Sequence, residues 1–473
     1  MTPNDAMSAK MQRNPLRLIL LLAVAAFFGI AVHQHLFSVN SHYYFTWTWQ
    51  WIASKTVYPI VLPLAIPFFI GQMLYSRRPS RLRTALIAIM VSKFALMLGA
   101  AAVQKNPPSL TRISDVIQSR WTTGYFEEAT ALKHRGITAG QLLTRYPTLL
   151  GNFYLHARQK PPGPMLFEIA MNRLFGSGEA GAMASGLLIG VVATLAVPAV
   201  YAFIAFFTGN RDAAFLGAGY FALCPSPILF FPQFDQCYPI FTVCITVLWA
   251  MSLKNDDARF SAALGFVYAL TSLTTWAPGV LVIFLAGAAL LKYMTDPQCG
   301  FARIFRHFAI SLATFAAFHL AFWALTGFNL IATFRACVQQ EHLIASILTG
   351  VYHYRPHHLP GTIPADLYDF ALGSGWISFL LVGFYFARDA KKGVTSDKCV
   401  ALICVAQFII VAVCGLLPTE TARIWIFMFP MLMLPIGLEL AKWRPWERMA
   451  VYAVLLLLTA AMCQSMQFID SAM

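Results

Sequence analysis

Between Leu155 and Gly176 the chain reads LHARQKPPGPMLFEIAMNRLFG, which sets His156, Arg158 and Lys160 just before a Pro161-Pro162-Gly163 turn. Paired prolines stop a helix and hold the preceding residue extended, so the basic side chains are presented from a stiff support. Such a group suits a phosphate, which takes charge-assisted hydrogen bonds from several cations at once. A second stretch, SDVIQSRWTTGYFEEATAL, carries Asp115, Glu127 and Glu128, with Tyr125 among them. A carboxylate beside a hydroxyl acceptor can serve as a general base. The plainer reading is that Asp115 caps a short helix and the glutamates form its successor's solvated first turn. In PQFDQCYP, Asp235 and Gln236 either hold sugar or acceptor hydroxyls or cap the apolar run that follows. In LLPTETARIWIFMFP, Glu420 and Arg423 lie three apart at the start of another apolar run. Arginine there is paired with Glu420, snorkelling, or bound to an anion, because driving it toward the membrane centre costs about 2.5–3.5 kcal/mol. Its planar fork fits a phosphodiester better than a lysine does. Finally, GVYHYRPHHLPG gathers Tyr352, His353 and His357 with Arg355 and His358. Pro356 and Pro360 break the i, i+4 helical pairing that zinc-binding histidines favour and no nearby Cys or acid completes a ligand set, so no metal is expected. The segment reads as an exposed loop or as a lid whose aromatic faces meet a sugar ring.

These residues must be positioned by a membrane protein. Hydrophobic residues make up 58% of the 473 and charged ones 11%, with a mean hydropathy of +0.63, which excludes a soluble domain. The expected class is an all-α integral membrane bundle, since lipid leaves only helices or closed barrels able to satisfy their backbones. Apolar runs suggest helices over residues 16–37, 57–75, 84–103, 180–207, 213–231, 237–253, 260–273, 276–292, 308–326, 373–387, 399–417, 423–441 and 449–467, or about 13 crossings. The first run follows Lys10, Arg13 and Arg17, has no small-residue cleavage site, and reads as a retained anchor. With the N-terminus cytoplasmic, the inner loops are SRRPSRLR, GNRD, LKNDDAR, ARIFRH, ARDAKKG and AKWRPWER. Each carries Lys or Arg, as the positive-inside rule requires. The formal charge of +14 therefore reports topology in a multi-pass plasma-membrane protein, and no basic recognition helix points to nucleic acid. Nine cysteines are scattered without a CxxC, most of them in apolar runs. Only Cys224 and Cys237 share a predicted loop, where a disulfide is one reading.

Two long segments fall on the outer face, residues 104–179 and 328–372 of a single polytopic domain. Loops of that length in a bundle usually carry function, so the first reads as the catalytic loop and the second as the lid. After the proline turn, Leu166/Ala170/Leu174 and Phe167/Met171/Phe175 form two apolar rows while Glu168 and Asn172 face away. That pattern predicts an interfacial helix on the outer leaflet, with His156, Arg158 and Lys160 at headgroup height. Lys93, inside the third span, either snorkels outward or pairs with an acid.

His156 with KPPGPMLFEIAMNRLFG, then GNRDAAFLGAGYFALCPSPILFFPQFDQ and GFVYALTSLTTWAPGVLV, resembles the GT-C membrane glycosyltransferases, among them protein mannosyltransferases and lipid A aminoarabinose transferases. The resemblance covers roughly Asp115 to Leu291 and, more loosely, the rest. It implies a GT-C-like bundle that takes a sugar from a polyprenyl-phosphate carrier and transfers it, with inversion, to an envelope glycan, lipid or protein on the extracytoplasmic face. It also implies an acidic base in the first outer loop, Asp115 lying upstream of the Tyr125-Phe126 pair, and carrier-phosphate contacts from His156, Lys160 and Arg423. Many relatives read His-Pro-Pro where this chain reads Lys160-Pro161-Pro162. No cofactor is implied; the partners are the lipid-linked donor, the acceptor and membrane lipids. The competing class is a secondary transporter or flippase of a lipid-linked or anionic substrate, which should show Gly/Pro-broken spans in paired halves and acids near the midplane. Here the acids gather in the outer loops. The topology predicts that a cysteine placed at His353 is labelled from outside intact cells and one at Arg78 is not. The reverse labelling inverts the orientation.

Overall fold

Apolar segments in lipid must satisfy their own backbone groups, and in this chain they do so as helices. The structure is a computed structural model that describes residues 15–36, 49–51, 57–154, 156–352, 359–388, 395–418 and 420–468. Each of the thirteen expected segments contains a helix. Among the described residues, ten helices are long and apolar enough to cross a membrane, and an eleventh crossing is made if Thr362–Ser374 and Ile377–Arg388, bent by 99°, are taken as one. Two expected crossings are shorter than a full span: Arg211–Leu223 has 13 residues and Ala258–Ser272 has 15. At 1.5 Å per residue such helices cover about 20–22 Å, less than a hydrocarbon core of about 30 Å. The first is sheathed by other helices, with Ala213 to Leu223 all buried, so it need not reach both surfaces itself.

Among the described residues, the following contacts join chain ends that the charge pattern expects on one face, called inner or outer after that expectation. On the inner side, Glu439 accepts from Arg17 at 2.9 Å, Arg388 at 2.6 Å and the Trp443 indole at 2.9 Å. Asp256 is met by Arg303 at 3.1 Å, by His307 at 2.8 Å and by Arg306, and Tyr75 donates to Asp212 at 2.8 Å. On the outer side, the Gly163 amide donates to Leu273 O at 2.6 Å, and Thr144 to Thr326 O at 3.0 Å. Strands Trp49–Trp51 and Met466–Phe468 pair antiparallel there, Trp49 opposite Phe468.

The span Thr421–Leu440 forms the centre of the bundle, with 94% of its apolar window buried. Its Phe, Met, Leu and Ile residues recur on every face, the pattern of a helix with no lipid-facing side. Two glycines let a neighbour reach it. A Cβ on Gly217 would lie 2.8 Å from Met433 O, and one on Gly437 would lie 2.2 Å from Ala213 O. Small residues at such a crossing allow backbones to approach closely.

Three expectations change. The helix Gly163–Phe175 turns Glu168 and Asn172 inward, while Ala170 and Leu174 of the apolar rows are exposed. The exposed apolar residues suit a helix on the leaflet; what differs is that the polar pair packs on protein and not toward water, because in a bundle polar side chains need partners within. Glu168 takes Ser185, and Asn172 donates to Thr130 at 3.1 Å. Lys93 neither snorkels nor pairs with an acid. It is 1% exposed, donates to Ala193 O at 3.3 Å and lies 3.9 Å from the Phe221 ring centroid, next to the break between Thr194 and Ala196 that precedes Pro198. Cys224 and Cys237 are both free thiols. Because Glu439 neutralises two guanidinium groups inside the protein, Glu439→Gln should lower stability by about 3–5 kcal/mol, read as earlier unfolding in mixed micelles.

Candidate active site

The proline turn works as a bracket. Lys160 is extended ahead of Pro161, with φ −114° and ψ 151°, and the next helix starts at Gly163. Only glycine fits at the bracket's far end, since a Cβ on Gly163 would lie 2.4 Å from Leu273 O. The Lys160 carbonyl accepts from Tyr146 at 3.0 Å and from the Cys337 thiol at 3.7 Å, so its backbone is held from both sides.

The bracket faces two other segments. Arg423, 5% exposed, donates to Gln233 Oε1 at 2.9 Å, lies 3.9 Å from Asp235 and contacts Glu420 through its other terminal nitrogen. His156 and Lys160 both lie in the fields of Glu420, Arg423 and Asp235, and Lys160 also in that of Glu341. Residues more than 250 positions apart are thus drawn into one charged group. His156 and Lys160 keep part of their surface open, whereas Asp235, Glu420 and Arg423 are buried, so the former line a recess and the latter form its wall. Burial pulls the His156 imidazole down to about 4 despite Glu420, leaving it neutral at neutral pH, and burial also lowers Lys160. Burial, then Asp235, raises the Tyr125 phenol, which also feels Arg423. Behind it, burial lifts Glu168 to about 8 although Ser185 donates to its carboxyl.

Open hydrogen-bonding capacity remains at the site. Gln236 is 1% exposed, and neither its amide nitrogen nor its oxygen has a partner among the described residues; the same holds for Gln233 Nε2. Buried amides are normally satisfied, so these atoms mark where a polar ligand would be read. Beside the group lies an apolar cavity of about 370 Å³, bounded by Tyr268, Trp276, Pro278, Phe315, Leu330 and Phe334. It adjoins Lys160 through the helix Leu330–Tyr352, which carries both Phe334 and Cys337.

The sequence-predicted residues fall into three sets. His156, Lys160, Asp235, Glu420, Arg423 and Tyr125 come together, and Gln236 shares the Phe234–Cys237 turn with Asp235. Asp235 caps neither that turn nor the helix Tyr238–Asn255, whose preceding residues are Gln233 and Cys237. A second set has other engagements. Asp115 pairs with Lys105 at 2.6 Å and Glu127 with Arg120 at 3.6 Å; Glu128 accepts from the Tyr154 amide at 2.7 Å, and Arg158 donates to Phe153 O. The third set is not positioned: His353 and His357 lie outside the described residues, and the Tyr352 side chain is likewise not described. Gln233 and Glu341 were missed. Gln233 stands two residues before Asp235, where an amide is not distinguished from any helix-start residue; Glu341 gave no signal, because only the fold brings it to Lys160.

Helices of this number and length define a multi-pass membrane protein of the all-α class. No protein-family model matches the chain, and no curated protein matches it in sequence. Among solved structures, it is similar to the Archaeoglobus fulgidus oligosaccharyltransferase in complex with Zn and sulfate, at 12% identity and a TM-score of 0.36. The match covers 65% of this chain and 44% of that one.

The buried imidazole has a pH consequence. Its value falls from 6.5 in the open chain to about 4 in the fold, so the unfolded form takes up the proton first and stability is lost as pH drops through that window. His156→Asn should flatten the fall of thermal stability between pH 6.5 and 4.

Proposed function

We propose that this chain is an inverting glycosyltransferase of the GT-C type, acting on the extracytoplasmic face with a polyprenyl-phosphate sugar as donor and an envelope glycan, lipid or protein as acceptor. One observation carries the reading: Lys160 and Arg423, with His156, Asp235 and Glu420, converge beside an apolar cavity. Charge and grease side by side suit a lipid phosphate whose head must be neutralised while its tail stays out of water.

Transfer then proceeds as a displacement at the anomeric carbon. The acceptor oxygen forms the new bond, the bond to the carrier oxygen breaks, and its electron pair leaves with the phosphate. Arg423 and Lys160 stabilise the growing negative charge. Neutral His156 donates or accepts a hydrogen bond at that phosphate without adding charge. The acceptor proton goes to a carboxylate, and the acid best placed for it is Asp235. Its distance of 3.9 Å from Arg423 leaves it less tightly engaged than Glu420. Asp115, Glu127 and Glu128 give way in this reading because each is committed to another partner. Gln236, with both amide atoms open, reads sugar hydroxyls.

Arg423→Ala should weaken binding of undecaprenyl phosphate to the purified protein by about 10–100-fold, the loss of one charge-assisted contact. Asp235→Asn should lower turnover of a radiolabelled polyprenyl-phosphate sugar in membranes by about 10²–10⁴-fold with donor binding preserved. If Asp235→Asn turns over normally and Asp115→Asn does not, the base lies in the first outer loop. Movement of a lipid-linked substrate across the bilayer without covalent transfer would instead favour a flippase.

A further inference from the structure

Arg423 projects from a helix of only four residues, Thr421–Ile424, too short to fix the direction of a side chain by itself. The residue before it, Glu420, has φ 47°, in the left-handed region that side chains disfavour, so this turn needs support from outside. The support comes from the helix Thr362–Ser374. Asp369, 2% exposed, accepts a hydrogen bond from the Ala422 amide at 2.8 Å, and the Thr421 hydroxyl donates to Asp366 O at 2.6 Å while lying 3.4 Å from Asp369 Oδ2. The two segments touch at backbone level. A Cβ on Gly373 would lie 3.0 Å from Ala422 Cα and 2.2 Å from Ser226 Oγ. The 99° bend after Ser374 turns this helix away from the direction of Ile377–Arg388, and Gly375 and Trp376 absorb the turn with φ 84° and 60°.

We infer that Asp369 is a positioning residue for the anion-binding arginine: it holds the backbone of Thr421 and Ala422, and thereby the origin from which the Arg423 fork reaches Gln233 and Asp235. The inference rests on the reading of Arg423 as a phosphate contact. A carboxylate buried in a bundle is costly, and here it accepts hydrogen bonds from the turn one and two residues ahead of that fork. Were Asp369 only a staple between helices, its loss would act on stability and on all ligands alike. As a positioning residue it acts on the phosphate alone.

The test compares undecaprenyl phosphate with undecaprenol, titrated into the full-length protein in lipid nanodiscs and followed by tryptophan fluorescence. The wild type should prefer the phosphate, and Arg423→Ala should lose that preference. Asp369→Ala should lower it about tenfold while leaving affinity for the alcohol unchanged. Asp369→Asn, which keeps an oxygen for the Ala422 amide, should stay close to wild type. An Asp369→Ala protein that weakens both ligands equally, or keeps the wild-type preference while Arg423→Ala loses it, overturns the positioning role and leaves the phosphate reading standing. If Arg423→Ala keeps the preference, the phosphate reading falls and takes this role with it. Should Asp369→Ala fail to accumulate, Thr421→Val decides: a partial fall in preference supports the role, and an unchanged preference overturns it.

Discussion

Charge enclosed in a water-poor bundle must be neutralised by protein, and the central span carries that constraint at both ends. At its outer end Arg423 meets Glu420, Gln233 and Asp235. At its inner end Glu439 meets Arg17, Arg388 and Trp443. Because this span has almost no face toward lipid, its charged side chains draw on other segments as well as on their own neighbours Glu420 and Trp443. The first span, the bent pair and the 232–237 segment are all recruited for that purpose, so the electrostatics of one helix organise helices remote in sequence.

Apolar packing supplies the complementary half. Gly217 and Gly437 let Arg211–Leu223 cross the centre closely, and that short helix leads into the Phe234–Cys237 turn that holds Asp235. The proline bracket brings Lys160 in from the opposite side, secured by Leu273, Tyr146 and Cys337. Rigid supports on three sides leave His156 and Lys160 facing a recess whose floor is polar and whose neighbouring cavity is apolar. In the proposed reaction this division keeps the headgroup in the field of the cations and the tail in an environment like the bilayer.

The all-α membrane class, the places of its helices and the residue types of the Lys160 and Arg423 stretches could be read from the residues alone. Each depends on local quantities: apolar length, the stiffness of Pro161-Pro162, the cost of arginine near lipid. Asp115 reads from sequence as the base, but its pairing with Lys105 is set by how the chain folds back after the third span and is not legible in its own stretch. The apolar rows of Gly163–Phe175 were legible as a leaflet-facing stripe, but the partners that bury Glu168 and Asn172, Ser185 and Thr130, lie on other segments.

What the sequence by itself determined was therefore a many-helix membrane protein, because hydrophobic length acts residue by residue. Which acids face which cations was decided only by the tertiary structure. Burial, field and hydrogen-bond geometry depend on distances between segments hundreds of residues apart. Asp235, Gln233, Glu341 and Asp369 take their places by Arg423 and Lys160 through helix crossings that no single stretch encodes.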